Sequence, residues 1–197
     1  MKTEKLNLTK TYPEYYKASL KPAMVNLEPY YYLNISGQSA PEALEFIDAI
    51  GLLYKGAFGM KKVLRKQEFD FVVPKMEAFW WVESGIPFDE TPREEWFWQI
   101  MIRMPDFVGK TEFEELKTGL ELGDRDKLKF EEIHEGLSAQ ILHHGSYDQE
   151  QESLDKLFHY IEKEGFVIAG RHHEIYLNDP SKTPTDKLKT ILRYSIA

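Results

Sequence analysis

"LSAQILHHGSYDQEQESLDKLFHYI", residues 137–161, decides the fold. Its first part alternates as a strand and ends at Gly145. "SYDQ" then has the S-x-x-Q form of a capping box, Ser146 with Gln149, and predicts a helix starting near Tyr147. Leu154, Leu157, Phe158 and Ile161 recur at helical spacing, and Gly165 is a natural stop. Two further strands follow, "RHHEIYLND" at 171–179 and "LKTILRYSI" at 188–196. The same order occurs upstream. Tyr30–Gly37 reads as a strand, Ser39 and Glu42 as a capping box with a helix starting near Ala40, and Ala43, Ile47, Ile50, Tyr54, Ala57 and Leu64 as a helical stripe. "FDFVVPKMEAFWWVE" (69–83) and "WFWQIMIRM" (96–104) complete that half, with Pro74 at a bulge or edge position. The expected fold is therefore α+β: two βαββ units related by a pseudo-twofold axis, with antiparallel sheets. Helices would cover one face and leave the other as a concave ligand cleft. In this repeat Glu77 corresponds to Glu174, Phe79 to Tyr176 and Arg103 to Arg193.

Residues 1–27 read as an N-terminal extension whose Tyr12, Tyr15, Tyr16, Leu20 and Val25 are available to pack on the body. The first half spans 28–108, a charged, helix-prone bridging segment 109–129, and the second half 130–197. The chain of 197 residues, 42% apolar and 29% charged, has the composition of a globular protein. It has no apolar run of membrane-spanning length, and "MKTEKLNLTK" has no signal-peptide core, so a cytoplasmic protein without a membrane partner is expected. The absence of cysteine excludes disulfides, thiolate metal sites and cysteine nucleophiles. A formal charge of −8 argues against nucleic acid as a partner, because phosphate binding needs clustered Lys and Arg.

Strand parity supplies the candidate site. Ile175 and Leu177 read as core, which puts Glu174, Tyr176 and Asn178 on the other face. In "KMEAFWWVE" (75–83) Met76, Ala78 and Trp80 share one face, while Glu77, Phe79 and Trp81 share the opposite one. All four tryptophans fall between positions 80 and 98, and the neighbours Trp80 and Trp81 cannot both face one core. Trp80 is expected under a helix and Trp81 in the cleft. Glu77 and Glu174 would then converge from opposite sides of that cleft.

A carboxylate among aromatic rings loses hydration and becomes a better base near neutral pH, and two facing carboxylates shift each other further. Such a pair could activate one water, with the phenol of Tyr176 or Tyr147 donating to the oxygen where charge develops. Phe79, Trp81 and Phe97 would stack on a flat substrate, and Tyr54, Met101 and Arg103 would complete the binding residues. The plainer alternative pairs the two glutamates with Arg103 or Arg193 as structural ion pairs. The histidine pairs, His143 with His144 and His172 with His173, cannot chelate as pairs because adjacent strand residues face opposite ways, so no metal is assigned. No nucleophile elbow, P-loop or dinucleotide fingerprint is present.

"HHGSYDQEQESLDKLFHYI", "HEIYLNDP", "DFVVPKMEAFWWVE" and "MIRMPDFV" together resemble the GyrI-like (gyrase-inhibitor-like) small-molecule-binding domain family, in its stand-alone subgroup. The resemblance covers the chain from about residue 20 onward. It implies a duplicated βαββ fold that binds hydrophobic or cationic aromatic compounds on a buried glutamate, matched here by Glu174. Some stand-alone members are similar to enzymes that add water across the cyclopropane ring of DNA-alkylating cyclopropanoids. That implies a cofactor-free hydrolase with Glu77, Glu174 and Tyr176 as catalytic residues, acting in detoxification and xenobiotic resistance. Two alternatives stand beside it: a multidrug-binding module that sequesters or senses amphipathic cations, and an inhibitor of a protein partner such as gyrase.

Overall fold

The computed structural model describes residues 5–197; the first four residues of the expected N-terminal extension lie outside the described residues. In chain order the elements are α1 (Leu8–Thr11), α2 (Pro13–Tyr16), β1 (Ala23–Leu27), β2 (Tyr30–Gln38), α3 (Leu44–Lys66), β3 (Met76–Trp81) and β4 (Phe97–Arg103). They continue with α4 (Lys110–Thr118), α5 (Leu122–Lys127), β5 (Lys129–Ile133), β6 (Gly136–His144), α6 (Gln151–Lys163), β7 (His172–Tyr176) and β8 (Lys189–Ser195). The fold is α+β, and the strand–helix–strand–strand order occurs twice, as β2-α3-β3-β4 and as β6-α6-β7-β8. Among the described residues, no helix is long and apolar enough to cross a membrane.

The chain divides into two compact units. The first holds residues up to Thr11, Tyr30–Pro74 and Trp80–Ile133. Its strands run in the order β4-β2-β5, with β2 antiparallel to both neighbours, and the end of β3 lies beyond β4. Phe46 of α3 packs against Trp80 and Trp98, with ring centroids 5.2 Å apart in each case. Trp80 is thus under the helix as expected, and Trp81 is instead stacked on Phe97 at 5.6 Å. The buried stripe of α3 is Phe46, Ala49, Leu53, Ala57, Met60 and Leu64. This corrects the expected phase. Ile47 is exposed, because apolar residues ring the first turns of this helix and spacing alone does not choose among them. The bridging segment forms α4 and α5 against α3, where Lys66 pairs with Glu115 and Lys55 with Asp124, each at 2.7 Å.

Neither capping box forms. Ser39 stays with the strand: its N–H donates to the Trp96 carbonyl and its hydroxyl accepts from Trp98 Nε1 at 3.0 Å, so α3 begins only at Leu44. Ser146 precedes a single 3-10 turn, Tyr147–Gln149, and α6 begins at Gln151. Gly37 is required by that same tryptophan, since a Cβ there would stand 2.3 Å from Trp98 Cζ2. Gly37→Ala is expected to destabilise the protein by about 1–3 kcal/mol through this overlap, read from urea unfolding.

The second unit holds Tyr12–Pro29, Lys75–Phe79 and His134–Ala197, with strand order β1-β6-β8-β7-β3. β1 is antiparallel to β6, β6 to β8 and β8 to β7. Leu157 and Ile161 of α6 pack on Ala139, Ile141, Leu192 and Ile196. The N-terminal extension contributes more than loose packing here. β1 adds an edge strand to β6, and α2 buries Tyr15 and Tyr16.

Candidate active site

Cross-strand partners share a face of the sheet, and alternate residues along one strand change face. Glu174 is paired with Leu192, which packs under α6, so Glu174 lies on the α6 face of β7. His173 is paired with Arg193 and lies on the opposite face, where its ring meets Glu77. Glu77 and Glu174 therefore occupy opposite faces of the second unit's sheet and do not converge on one water. This reverses the expected facing of β7: Ile175, which alternation alone offers as the helix-facing core residue, is paired with Ile191 on the face away from α6.

The α6 face gathers Tyr147, Glu150, His172, Glu174, Tyr176 and Tyr194. His172 Nε2 donates to Glu174 Oε1 at 3.0 Å, as residues two apart on one strand allow. The rings of Tyr147 and Tyr176 meet edge-on at 5.7 Å, and those of His172 and Tyr194 lie 5.1 Å apart. Glu174 is only 9% exposed and Glu150 7%, whereas Tyr147 is 40% exposed and marks the side open to solvent. Burial, then the neighbouring Glu174 carboxylate, pushes the Glu150 carboxyl up to about 10. The same two causes push the Tyr147 phenol up to about 12 and raise Tyr194. One ligand atom each from Glu150, His172 and Glu174 lies within 4.8 Å of the others, a grouping that could hold a metal. The sequence signal for this grouping is the i, i+2 relation of His172 to Glu174 on one strand, which the adjacent pair His172 and His173 does not have. His143, also on this face, places one ring nitrogen 3.0 Å from Ser153 Oγ and the other 3.0 Å from the Ser146 carbonyl, pinning the 3-10 turn to α6.

On the opposite face Glu77, His173 and Arg193 are fully buried. The Tyr15 hydroxyl donates to Glu77 Oε2, and His173 Nε2 lies 3.0 Å from that same oxygen. His173 Nδ1 lies 2.9 Å from Glu135 Oε1. Both ring nitrogens thus face carboxylates, and only the imidazolium can donate to both. Burial alone would lower the His173 pKa, but Glu135 and Glu77 outweigh it and raise it. Burial likewise opposes ionisation of Glu135, yet His173 and Arg193 hold it down at about 2. Arg193 closes the network on Gln140, Glu135 and the Tyr15 carbonyl. Glu77 is accordingly engaged by Tyr15 and His173, partners that sequence reasoning did not foresee, and Phe79 lies over His173 at 4.5 Å.

The remaining predicted binding residues belong to the first unit. Phe97, Met101 and Arg103 share the face of β4 away from α3, and Trp81 stacks on Phe97. Met101 and Arg103 are fully buried, with the Arg103 guanidinium 3.4 Å from the centre of the Tyr30 ring. Tyr54 is on α3, stacked with the exposed Phe58 at 6.4 Å.

Residues 21–195 match a protein family described as the GyrI-like small molecule binding domain. Among solved structures, an uncharacterized conserved protein from Listeria innocua is 29% identical, with a TM-score of 0.88, covering 98% of this chain and 100% of its own. A hydrolase from Listeria innocua is 28% identical, with a TM-score of 0.87 and the same coverage. The C-terminal domain of EcmrR, 12% identical over 90% of this chain and 97% of its own with a TM-score of 0.61, shares the fold. A comparison with curated proteins found no significant match.

Proposed function

Since the chain belongs to the GyrI-like small molecule binding domain family, we propose that it binds a flat electrophilic molecule beside Glu174 and hydrolyses it. The observation that carries this reading is the Glu174 carboxylate, oriented by His172 and surrounded by Tyr147, Tyr176 and Tyr194. A relative of 28% identity described as a hydrolase supports catalysis over simple binding. The substrate class we assign is a cyclopropanoid whose ring is conjugated to a dienone. Glu174 takes a proton from water as the water oxygen bonds to the ring methylene. The strained carbon–carbon bond breaks, and its electron pair moves to the dienone oxygen. That oxygen takes a proton from the phenol of Tyr147 or Tyr176, which solvent restores. Ring strain supplies driving force, and the tyrosine rings hold the substrate by stacking. Glu77, bonded to Tyr15 and His173 on the opposite face, has a structural role in this reading and takes no part in the step.

The test is to incubate the protein with a cyclopropyl dienone and follow product mass. A catalytic yield of substrate plus one water is expected, and formation no faster than in buffer would reject hydrolysis. A second reading, capture of an aromatic cation without turnover, is favoured by the three phenol rings around a carboxylate. Fluorescence titration with an aromatic quaternary ammonium would then show saturable binding that Glu174→Gln weakens.

A further inference from the structure

The geometry points to a binding site for a divalent first-row metal ion formed by Glu150, His172 and Glu174. One ligand atom from each residue lies within 4.8 Å of the others. His172 Nε2 and Glu174 Oε1 are already 3.0 Å apart. Two ligands each about 2.1 Å from one ion are about 3.0 Å apart at octahedral angles and about 3.4 Å apart at tetrahedral ones. His172 and Glu174 project from the same side of β7, and Glu150 enters from the residue before α6. A modest rotation of the Glu150 side chain would complete three protein ligands and leave the remaining positions to water.

Proximity is not the only argument. Both glutamates are more than nine-tenths buried, and among the described residues Glu150 Oε1, an oxygen of the proposed ligand set, has no hydrogen-bond partner. A buried polar atom left unsatisfied costs about 1–3 kcal/mol, and more when charged, so such atoms call for an occupant. The charged groups acting on Tyr147, Glu150 and Tyr194 are all acidic: Glu150, Glu174, Asp148 and Asp179. On the opposite face of the same sheet, Glu77 and Glu135 are balanced by His173 and Arg193. On the α6 face Asp179 is paired with Lys182 and Glu174 with His172, and a divalent cation would add a partner for Glu150. One imidazole nitrogen with two carboxylates suits zinc, manganese or iron(II), whereas calcium and magnesium prefer oxygen throughout. An ion here would hold the Glu174 oxygen that the hydrolase reading assigns to a water, so hydrolysis is measured on the chelator-treated chain and metal binding without substrate, and each reading can fail without the other.

The experiment is calorimetric titration of the chelator-treated full chain with Zn²⁺ and, separately, Mn²⁺, in buffer containing excess Mg²⁺. One equivalent should bind, and Glu150→Gln and His172→Gln should each weaken binding at least tenfold, as loss of a ligand requires. Glu152→Gln, an exposed acid outside the cluster, should leave binding unchanged. Should either variant fail to fold, Mn²⁺ broadening of wild-type amide resonances locates the ion without substitution, and it should centre on residues 150, 172 and 174. No saturable uptake of either ion below about 1 mM would overturn the site. Affinity unchanged in the folded variants, or broadening centred on His143, His144 or another histidine, would overturn it equally.

Discussion

Glu174→Gln should slow hydrolysis of a cyclopropyl dienone by about 10²–10⁴-fold, the ordinary cost of losing a general base. Glutamine keeps the size of the side chain and one carbonyl oxygen, so the hydrogen bond from His172 Nε2 can persist. It cannot accept the water's proton at neutral pH. In the proposed reading the rings of Tyr147, Tyr176 and Tyr194 hold the flat substrate, so a neutral substrate analogue should bind with nearly unchanged affinity. Glu77→Gln is the matched control. Glu77, on β3, lies on the opposite face of the sheet from Glu174, bonded to Tyr15 and His173 and fully buried, so its loss should lower stability and leave turnover per folded molecule near wild type. If Glu174 is instead a counter-ion, the pattern inverts: aromatic cations bind more weakly to Glu174→Gln, neutral ligands bind as before, and there is no turnover to lose. Rates from product mass at saturating substrate, with circular dichroism on each variant, separate the outcomes. A Glu174→Gln protein hydrolysing at the wild-type rate would end the mechanism.

The repeated order of elements was legible because strands and helices announce themselves by period. β2, β4, β6 and β8 lie within a residue or two of where alternation placed them. Parity also separated Trp80 from Trp81 correctly, since Glu77, Phe79 and Trp81 form one set whatever the surroundings. It could not say which set faces a helix. In β7 both sets are buried or half-buried, because α6 covers one face and α2 contributes Tyr15 to the other. The helix side of that strand is the polar set, Glu174 with His172 and Tyr176, and the apolar Ile175 faces away from α6. The capping boxes failed for a related reason: a serine hydroxyl near a helix start is free to cap only if nothing else claims it, and Trp98 Nε1 claims Ser39. The pairings of β1 with β6 and β5 with β2 left no local trace, because short edge strands carry little periodicity of their own. Glu135, Tyr15 and Gln140 were missed since nothing in their neighbourhoods in sequence predicts an arginine 50 or more residues away.

Arg193→Met should be the most destabilising of the substitutions considered, at about 3–5 kcal/mol, the usual result of removing one partner of a buried charge network. Methionine roughly fills the arginine stem, so the cavity is small and the effect isolates the charge. Arg193 is fully buried, and its Nη2 donates to the Tyr15 carbonyl at 2.7 Å and to Gln140 Oε1 at 2.8 Å. Its Nη1 lies 3.4 Å from Glu135, and the guanidinium lies 4.5 Å from the centre of the Tyr15 ring. Without it two carbonyl oxygens lose donors, and Glu135 is left with His173 as its cation. For a chain of this size the melting temperature should fall by roughly 10 °C. The pH dependence carries a further signature. Glu135 is held at about 2 when folded, below the ordinary glutamate value of about 4.3. A depressed carboxylate adds stability above its unfolded pKa, and that stability is lost as pH falls through the folded value. The wild-type protein should therefore lose part of its stability between about pH 4.5 and pH 2 as Glu135 takes up its proton. Arg193→Met removes one of the two cations holding the pKa down, so its acid limb should be shallower. Urea unfolding of both proteins across that range measures both effects. A loss below about 1 kcal/mol at neutral pH, within the range of an exposed ion pair, would mean that the network does not hold α2 against the sheet.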